Sequence, residues 1–439
     1  MRATPSSLAG RRPPSRRRQT GVATLLIVMA LFFLVSMVAA YSSRNLVFEQ
    51  RTSANQYRAT QAFEVAEGGV DWALALLNSG RVDASCAGSF DPAQPSFRSR
   101  YLGIDAARGT VTPSTVAVAC QRNSAGWSCS CPSAGEPAPV DPGGTGVRPA
   151  FRVKLQPALS SNNTPALFAI DSTGCTTFNA RCLQFGRSDG GEAAARVNVT
   201  VAIVPALGSL PAAALTVRGN VQPAAPVATL VNEDANSGAL TVHAGGTPGD
   251  PSSVDTTNLS LFSVAGNPDQ ASVVRDTALA TLSGEAMFTR FLGMSPQAFR
   301  RQPAVVRFAA DSAPPCRKAS DSDPIAACIA AHPGRPVWVE GNLSIDGPLQ
   351  LGSADTPLLL VVDGKVSFAS AGVQVVGLVY SRAALLDDVG RASIRGALIA
   401  EGSVSGTALP DVRYDGAVLS RIRLTQGSVV RLPGGWKDF

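Results

Sequence analysis

The chain has 439 residues, 45% hydrophobic and 16% charged, with 38 Lys and Arg against 32 Asp and Glu for a net charge of +6. The basic excess lies wholly at the start: residues 1–21 hold six arginines (Arg2, Arg11, Arg12, Arg16, Arg17, Arg18) and no acid, which leaves 32 basic and 32 acidic groups in the rest. A neutral body of this kind excludes nucleic acid as a partner, because such binding draws on clustered Lys and Arg.

From Val22 to Tyr41 no charged residue, Pro or Gly occurs. Twenty such residues in a helix, at about 1.5 Å each, cover the roughly 30 Å of a bilayer core. The arginines before the run set its orientation, with the N-terminus cytoplasmic and the C-terminus exported. The rival reading is a cleavable secretory signal ending near Ala39-Ala40. Against it, helical character continues without Pro or Gly to Gly68, and Phe63, Ala66, Val70, Leu74 and Leu77 recur at spacings of three and four. Asn78-Ser79-Gly80 supplies the stop. The pattern predicts one helix over 22–80, with 22–41 spanning the membrane and the remainder amphipathic.

A basic leader ending in Gly, an apolar helix and then an amphipathic one resemble a type IV prepilin. Within that group "QTGVATLLIVMAL" and "FEQRTSANQYRATQAFEVAEGGV" are similar to PilX-type minor pilins, over about residues 19–77. The resemblance implies cleavage by a prepilin peptidase between Gly21 and Val22, with Val22 then usually methylated. It implies other minor pilins and major pilins as partners, with a tip adhesin as a further one. It also implies residence in the inner membrane, periplasmic C-terminus outward, before transfer to a pilus at the cell surface. Most pilins carry Glu at the fifth mature position, to neutralise a neighbour's N-terminal ammonium; here that position is Leu26. An unpaired charge in an apolar bundle is costly, so Leu26 suits a subunit at the tip, where no neighbour needs the partner. A plain anchor outside pilus biogenesis would carry Leu there too. Glu49, Arg58, Glu64 and Glu67, with Arg51, lie on the same helix. They read equally as a solvated face or as salt-bridging groups during assembly.

Residues 81–207 form the next region. Eight cysteines occur at 86, 120, 129, 131, 175, 182, 316 and 328, and in an exported chain close, even-numbered cysteines read as disulfides. Cys175 is expected to pair with Cys182 and Cys316 with Cys328. Cys86, Cys120, Cys129 and Cys131 form two bridges of unassigned pairing, a zinc site being the rival reading of these four thiols. The Pro- and Gly-rich stretch 81–145 reads as loops held by disulfides. "FRVKLQPAL", "PALFAIDSTGC" and "ARVNVTVAIVPAL" then alternate apolar and polar residues as an antiparallel sheet, onto which the helix face would pack.

A repeat fills 208–439: "LTVRGNVQ", "LTVHAGG", "VWVEGNLSI", "LVVDGKVSF", "LVYSRAAL", "LIAEGSVSG" and "VLSRIRL". The aligned turn positions Gly341, Gly364, Ala383, Gly402 and Ile422 lie 23, 19, 19 and 20 residues apart. Those lengths fit coils of a parallel β-solenoid; an antiparallel sandwich is the alternative. Residues 268–330 show helical periodicity and read as an insertion. The expected fold class is α+β: a long N-terminal helix, a small pilin-like sheet and a mainly β head.

Glu340, Asp363, Arg382 and Glu401 fall at equivalent turn positions, a row that in a β-helix enzyme would act on polysaccharide. The other reading is a self-pairing charge row. His243 and His332 have no companion at metal spacing and read as surface or turn residues. No cofactor motif, EF-hand or phosphate loop is present. The sequence reads as a non-enzymatic minor pilin without a cofactor, with a membrane-anchored β-helix enzyme or adhesin as the alternative.

Overall fold

One helix, Val22–Leu77, runs for 56 residues. It belongs to a computed structural model that describes residues 21–106, 109–140, 148–158, 166–177, 193–264, 269–383, 386–388 and 392–438. The chain forms two units, one up to Arg58 and one from Ala59 onward. In the first, every described residue is exposed and all but Gly21 are helical. In the second, the helix ends where Asn78 and Ser79 turn back on it. The Asn78 amide donates to the Leu74 carbonyl (3.0 Å) and the Ser79 hydroxyl to that of Leu76 (2.8 Å), satisfying last-turn acceptors.

The helix buries Ala62, Ala66, Gly69, Val70, Ala73 and Leu77. Phe63 and Leu74 flank this stripe half-buried. Small residues form its centre because helix and sheet backbones nearly touch. A Cβ on Gly174 would lie 2.2 Å from the Ala62 carbonyl oxygen, and one on Gly69 would lie 2.4 Å from Ser172 Oγ.

The sheet beneath is antiparallel and six-stranded, in the order Ser428–Asp438, Ala194–Val204, Leu167–Cys175, Ala150–Pro157, Val118–Asn123, Gly126–Ser130. Two corrections to the expected regions follow. The described residues of the stretch 81–145 are packed as well as disulfide-linked: they supply two strands of this sheet and bury Phe97 and Tyr101. The last strand, Ser428–Asp438, leaves the 208–439 head and becomes the sheet's edge, pairing with Ala194–Val204. It pairs the backbone groups on the edge of Ala194–Val204 that faces away from Leu167–Cys175.

The head is a stack of parallel strands. One apolar row reads Val306, Val337, Leu360, Val379, Leu398, Leu215, Val242, Val273, each directly beside the next. A second ladder pairs Leu343 with Val366 and Val366 with Leu386 in register. Two glycines lie inside the neighbouring strands Gln374–Ser381 and Ser393–Ala400. Gly377 and Gly396 take φ values of +154° and +140° and sit beside each other in register.

The winding order differs from the chain order. The chain enters mid-stack at Ala213–Val217, advances through Leu240–Ala244 and reaches one end at Val273–Arg275. Helices Thr277–Thr281, Gly284–Leu292 and Pro296–Arg300 then carry it to the opposite end at Val306–Phe308. From there it returns coil by coil until Ser393–Ala400 stacks against Ala213–Val217. The helices expected within 268–330 are present, and those from Thr277 to Arg300 join the two ends of the stack rather than neighbouring coils. Residues 268–330 also hold two of the stacked strands. The crossover covers the outer sheet face, Phe288 packing on Tyr380 (5.2 Å between rings) and Trp338 (6.1 Å), which explains why these parallel strands are apolar on both faces.

The last expected repeat, "VLSRIRL", is helical rather than extended. Asp415 caps the helix Gly416–Thr425 by accepting from the N–H groups of Ala417 and Val418. Val418, Leu419 and Ile422 are buried on one side, so the 3.6 period overrides the strand-like composition at Ile422.

Candidate functional site

The N-terminal helix offers an uninterrupted apolar surface. No charged side chain occurs between Val22 and Ser43, and Val22, Leu26, Phe32 and Phe33 are each more than 60% exposed. Two of its hydroxyls return their hydrogens to the helix: Ser43 Oγ donates to the Ala40 carbonyl and Thr52 Oγ1 to that of Phe48, each at 3.0 Å. The segment is long and apolar enough to cross a membrane, and a helix satisfies its own backbone there. Gly21 precedes the first helical residue, its carbonyl accepting from Leu25 N–H at 3.1 Å. Leu26 lies in the first turns, Glu49, Arg58 and Glu64 are exposed and Glu67 is half-buried. The structure spreads these residues along the helix instead of gathering them. No ion pair joins Glu49, Glu64 or Glu67 to a partner among the described residues.

The four aligned turn residues of the head do come together. Arg382 reaches both neighbouring coils, to Asp363 Oδ1 at 2.5 Å and Glu401 Oε1 at 3.2 Å. Glu340 receives Arg307 at 2.7 Å and Arg300 at 3.0 Å. Arg218, on the coil beyond Glu401, donates to the Glu401 carbonyl. The Glu401 side chain is only 6% exposed. Burial pushes its carboxyl group up, while Arg382 and the Tyr380 hydroxyl (3.1 Å) pull it back. Each carboxylate thus faces a guanidinium, and the row reads as charge pairing across coils.

His243 and His332, expected as surface or turn residues, are half-buried, His332 in the bend that follows the helix Ile325–Ala331. His243 Nε2 meets Asp276 Oδ2 at 3.1 Å across two coils. Cys86 is bonded to Cys131, Cys120 to Cys129 and Cys316 to Cys328. The zinc reading of the first four therefore has no thiolates left. Cys175 is disulfide-bonded, and Cys182 lies outside the described residues. Among the described residues no cluster of three or more His, Cys, Asp or Glu is placed to hold a metal.

Sequence reasoning missed Arg98, which joins the sheet region to the head. Its Nε donates to the Leu77 carbonyl (2.9 Å), closing the long helix, and its Nη1 to the carbonyls of Thr425 and Gly427 (both 2.7 Å). Asn78 works beside it, accepting from Val429 N–H (2.8 Å) and donating to the Val429 carbonyl (2.9 Å). Burial and the nearby Arg335 pull the Arg98 guanidinium down to about 10, still charged at neutral pH. Its position in "FRSRY" gave no signal, since the Thr425 and Gly427 carbonyls it binds lie more than 320 residues away.

No protein-family profile matches the chain, and neither does any curated protein. Among solved structures it is similar to the competence-associated pilin ComZ from Thermus thermophilus, at 12% identity over 87% of this chain and 98% of that one. The TM-score of 0.24 is too low to establish a shared fold.

Proposed function

We propose that this chain is a non-enzymatic minor pilin of a type IV pilus. A prepilin peptidase cuts it between Gly21 and Val22, and it acts with other minor and major pilins in priming assembly and at the fibre tip. One observation carries the reading. A single helix begins as an exposed apolar span and ends packed by a small-residue stripe on an antiparallel sheet. That division suits a subunit held in the inner membrane and later withdrawn into a fibre core. Leu26 supports the tip position: it places no carboxylate where a neighbour's N-terminal ammonium would need one. The paired carboxylates of the Glu340–Glu401 row support a structural role for the head.

The test is the N-terminal mass of protein recovered from membranes and from sheared surface fibres, in cells with and without the peptidase. A form beginning at Val22, seen only with the peptidase, is expected. An intact leader in both strains, or a start near Tyr41, would remove the pilin reading.

A further inference from the structure

A cleft of about 800 Å³ opens beside the helix Gly416–Thr425, within the size range of small-molecule sites. One wall is the helix face carrying Ala417, Ser420 and Arg421, and the others bring Ile104, Leu210 and Pro211 from separate segments. The Tyr414 hydroxyl donates to the Pro211 carbonyl at 2.9 Å and fixes that wall.

The polar groups have an order. Arg421 stands at one end, steadied by Asp355 Oδ1 (2.9 Å) and the Ala354 carbonyl (2.6 Å). Asp234 stands at the helix N-terminus: its Oδ1 accepts from Asn236 N–H at 2.9 Å, and its Oδ2 lies against Gly416, where a Cβ would come within 2.4 Å. Asp105 adds a second carboxylate. The Asn236 amide is exposed, and neither it nor the Ser420 hydroxyl has a hydrogen-bond partner among the described residues.

This order selects a ligand class. A cation spanning the cleft meets Arg421, and an anion meets Asp234 and Asp105. An uncharged ligand rich in hydroxyls opposes neither: it donates to the carboxylates, accepts from the guanidinium and exchanges hydrogen bonds with Asn236 and Ser420. The C–H faces of sugar rings match Ile104, Leu210 and Pro211. We propose that this cleft binds a neutral oligosaccharide. The inference goes beyond the assembly role and does not rest on it.

Calorimetric titration of the full chain in detergent with maltohexaose, cellohexaose and N-acetylated chitohexaose tests it, with hexagalacturonate and deacetylated chitohexaose as charged comparisons. Binding of at least one neutral hexamer is expected. Asn236→Ala should weaken it about tenfold by removing a hydrogen-bonding group, and Ser420→Tyr should abolish it by filling the cleft. Both variants should melt like the parent. If Ser420→Tyr fails to fold, Asn236→Ala decides. The proposal is overturned by no heat from any neutral hexamer up to about 10 mM, by tighter binding of a charged one, or by binding that ignores the folded variants. None of these outcomes touches cleavage after Gly21, which is read separately.

Discussion

The two β regions of the second unit solve the same problem in opposite ways. In the antiparallel sheet, strands adjacent in space are mostly adjacent in sequence, so Val118–Asn123 meets Gly126–Ser130 across a tight connection. Disulfides hold this region, among them Cys86–Cys131 and Cys120–Cys129, and Cys175 on the strand Leu167–Cys175 is disulfide-bonded as well. In the head the central contact joins Ser393–Ala400 to Ala213–Val217, and its apolar row is continuous only after that contact forms. The sheet is specified locally, whereas the head needs nearly its whole length before any middle coil is covered on both sides. Long-range pairing of this kind carries a larger loop-closure cost and folds more slowly.

The largest expected effect comes from breaking the head alone. A Cβ on Gly396 would lie 1.9 Å from the Gly377 carbonyl oxygen, at a φ of +140° that side chains rarely adopt. Gly396→Val should therefore cost at least about 4 kcal/mol. Hydrogen exchange should show the strands Leu358–Val362, Gln374–Ser381 and Ser393–Ala400 losing protection together. The sheet strands Ala150–Pro157 and Leu167–Cys175 should keep theirs, while Ser428–Asp438, which follows the head in sequence, loosens. Uniform loss across both regions would show that the sheet has no independent stability.

The difference also explains what was legible in the sequence. The long helix was legible, because its signals lie within a few residues of one another: absence of Pro, absence of Gly as far as Gly68, a spacing of three and four, and Asn78-Ser79 at the end. The coil lengths were legible too, since Gly341, Gly364 and Ala383 mark equivalent corners of successive coils. The order of coils was not. Nothing near Leu215 states that Leu398 lies beside it, because an apolar strand accepts any apolar neighbour. At Ile422 composition misled, and the Asp415 cap that favours a helix was the overlooked sign. The row of Glu340, Asp363, Arg382 and Glu401 was foreseeable as a row, but its geometry of pairing was not. Arg98 had no local mark at all.

A smaller effect is expected at the junction between the regions. Arg98→Met keeps the length of the side chain but withdraws the donors that serve Leu77, Thr425 and Gly427. Leaving buried carbonyls short of partners costs about 2–4 kcal/mol across the set. Urea unfolding should then show the sheet and head transitions moving apart, because the group that ties the helix end to the start of the last strand is gone. A single transition with an unchanged midpoint would show that Asn78 alone suffices to couple them.

The smallest effect concerns the seam where Gly80 and Arg81 meet the helix Ile325–Ala331. Arg81 donates to the Ala330 carbonyl at 2.8 Å, and His332 closes that helix through its backbone N–H. The buried His332 Nδ1 has no partner among the described residues. Burial, and secondly Arg335, pull the imidazole down to about 4 from an ordinary 6.5. Between those values the unfolded chain binds a proton that the folded chain refuses, so stability falls as pH drops through that window and is unaffected above it. Because the ring remains partly in contact with water, the loss should be on the order of 1 kcal/mol rather than the full value of the shift. His332→Gln cannot take up that proton, so its urea midpoint should change less than the parent's between about pH 7 and about pH 5. Parallel pH profiles for the two proteins would place the seam's acid sensitivity elsewhere. A flatter profile for His332→Gln would locate it at this ring, where the sheet region and the head share one buried surface.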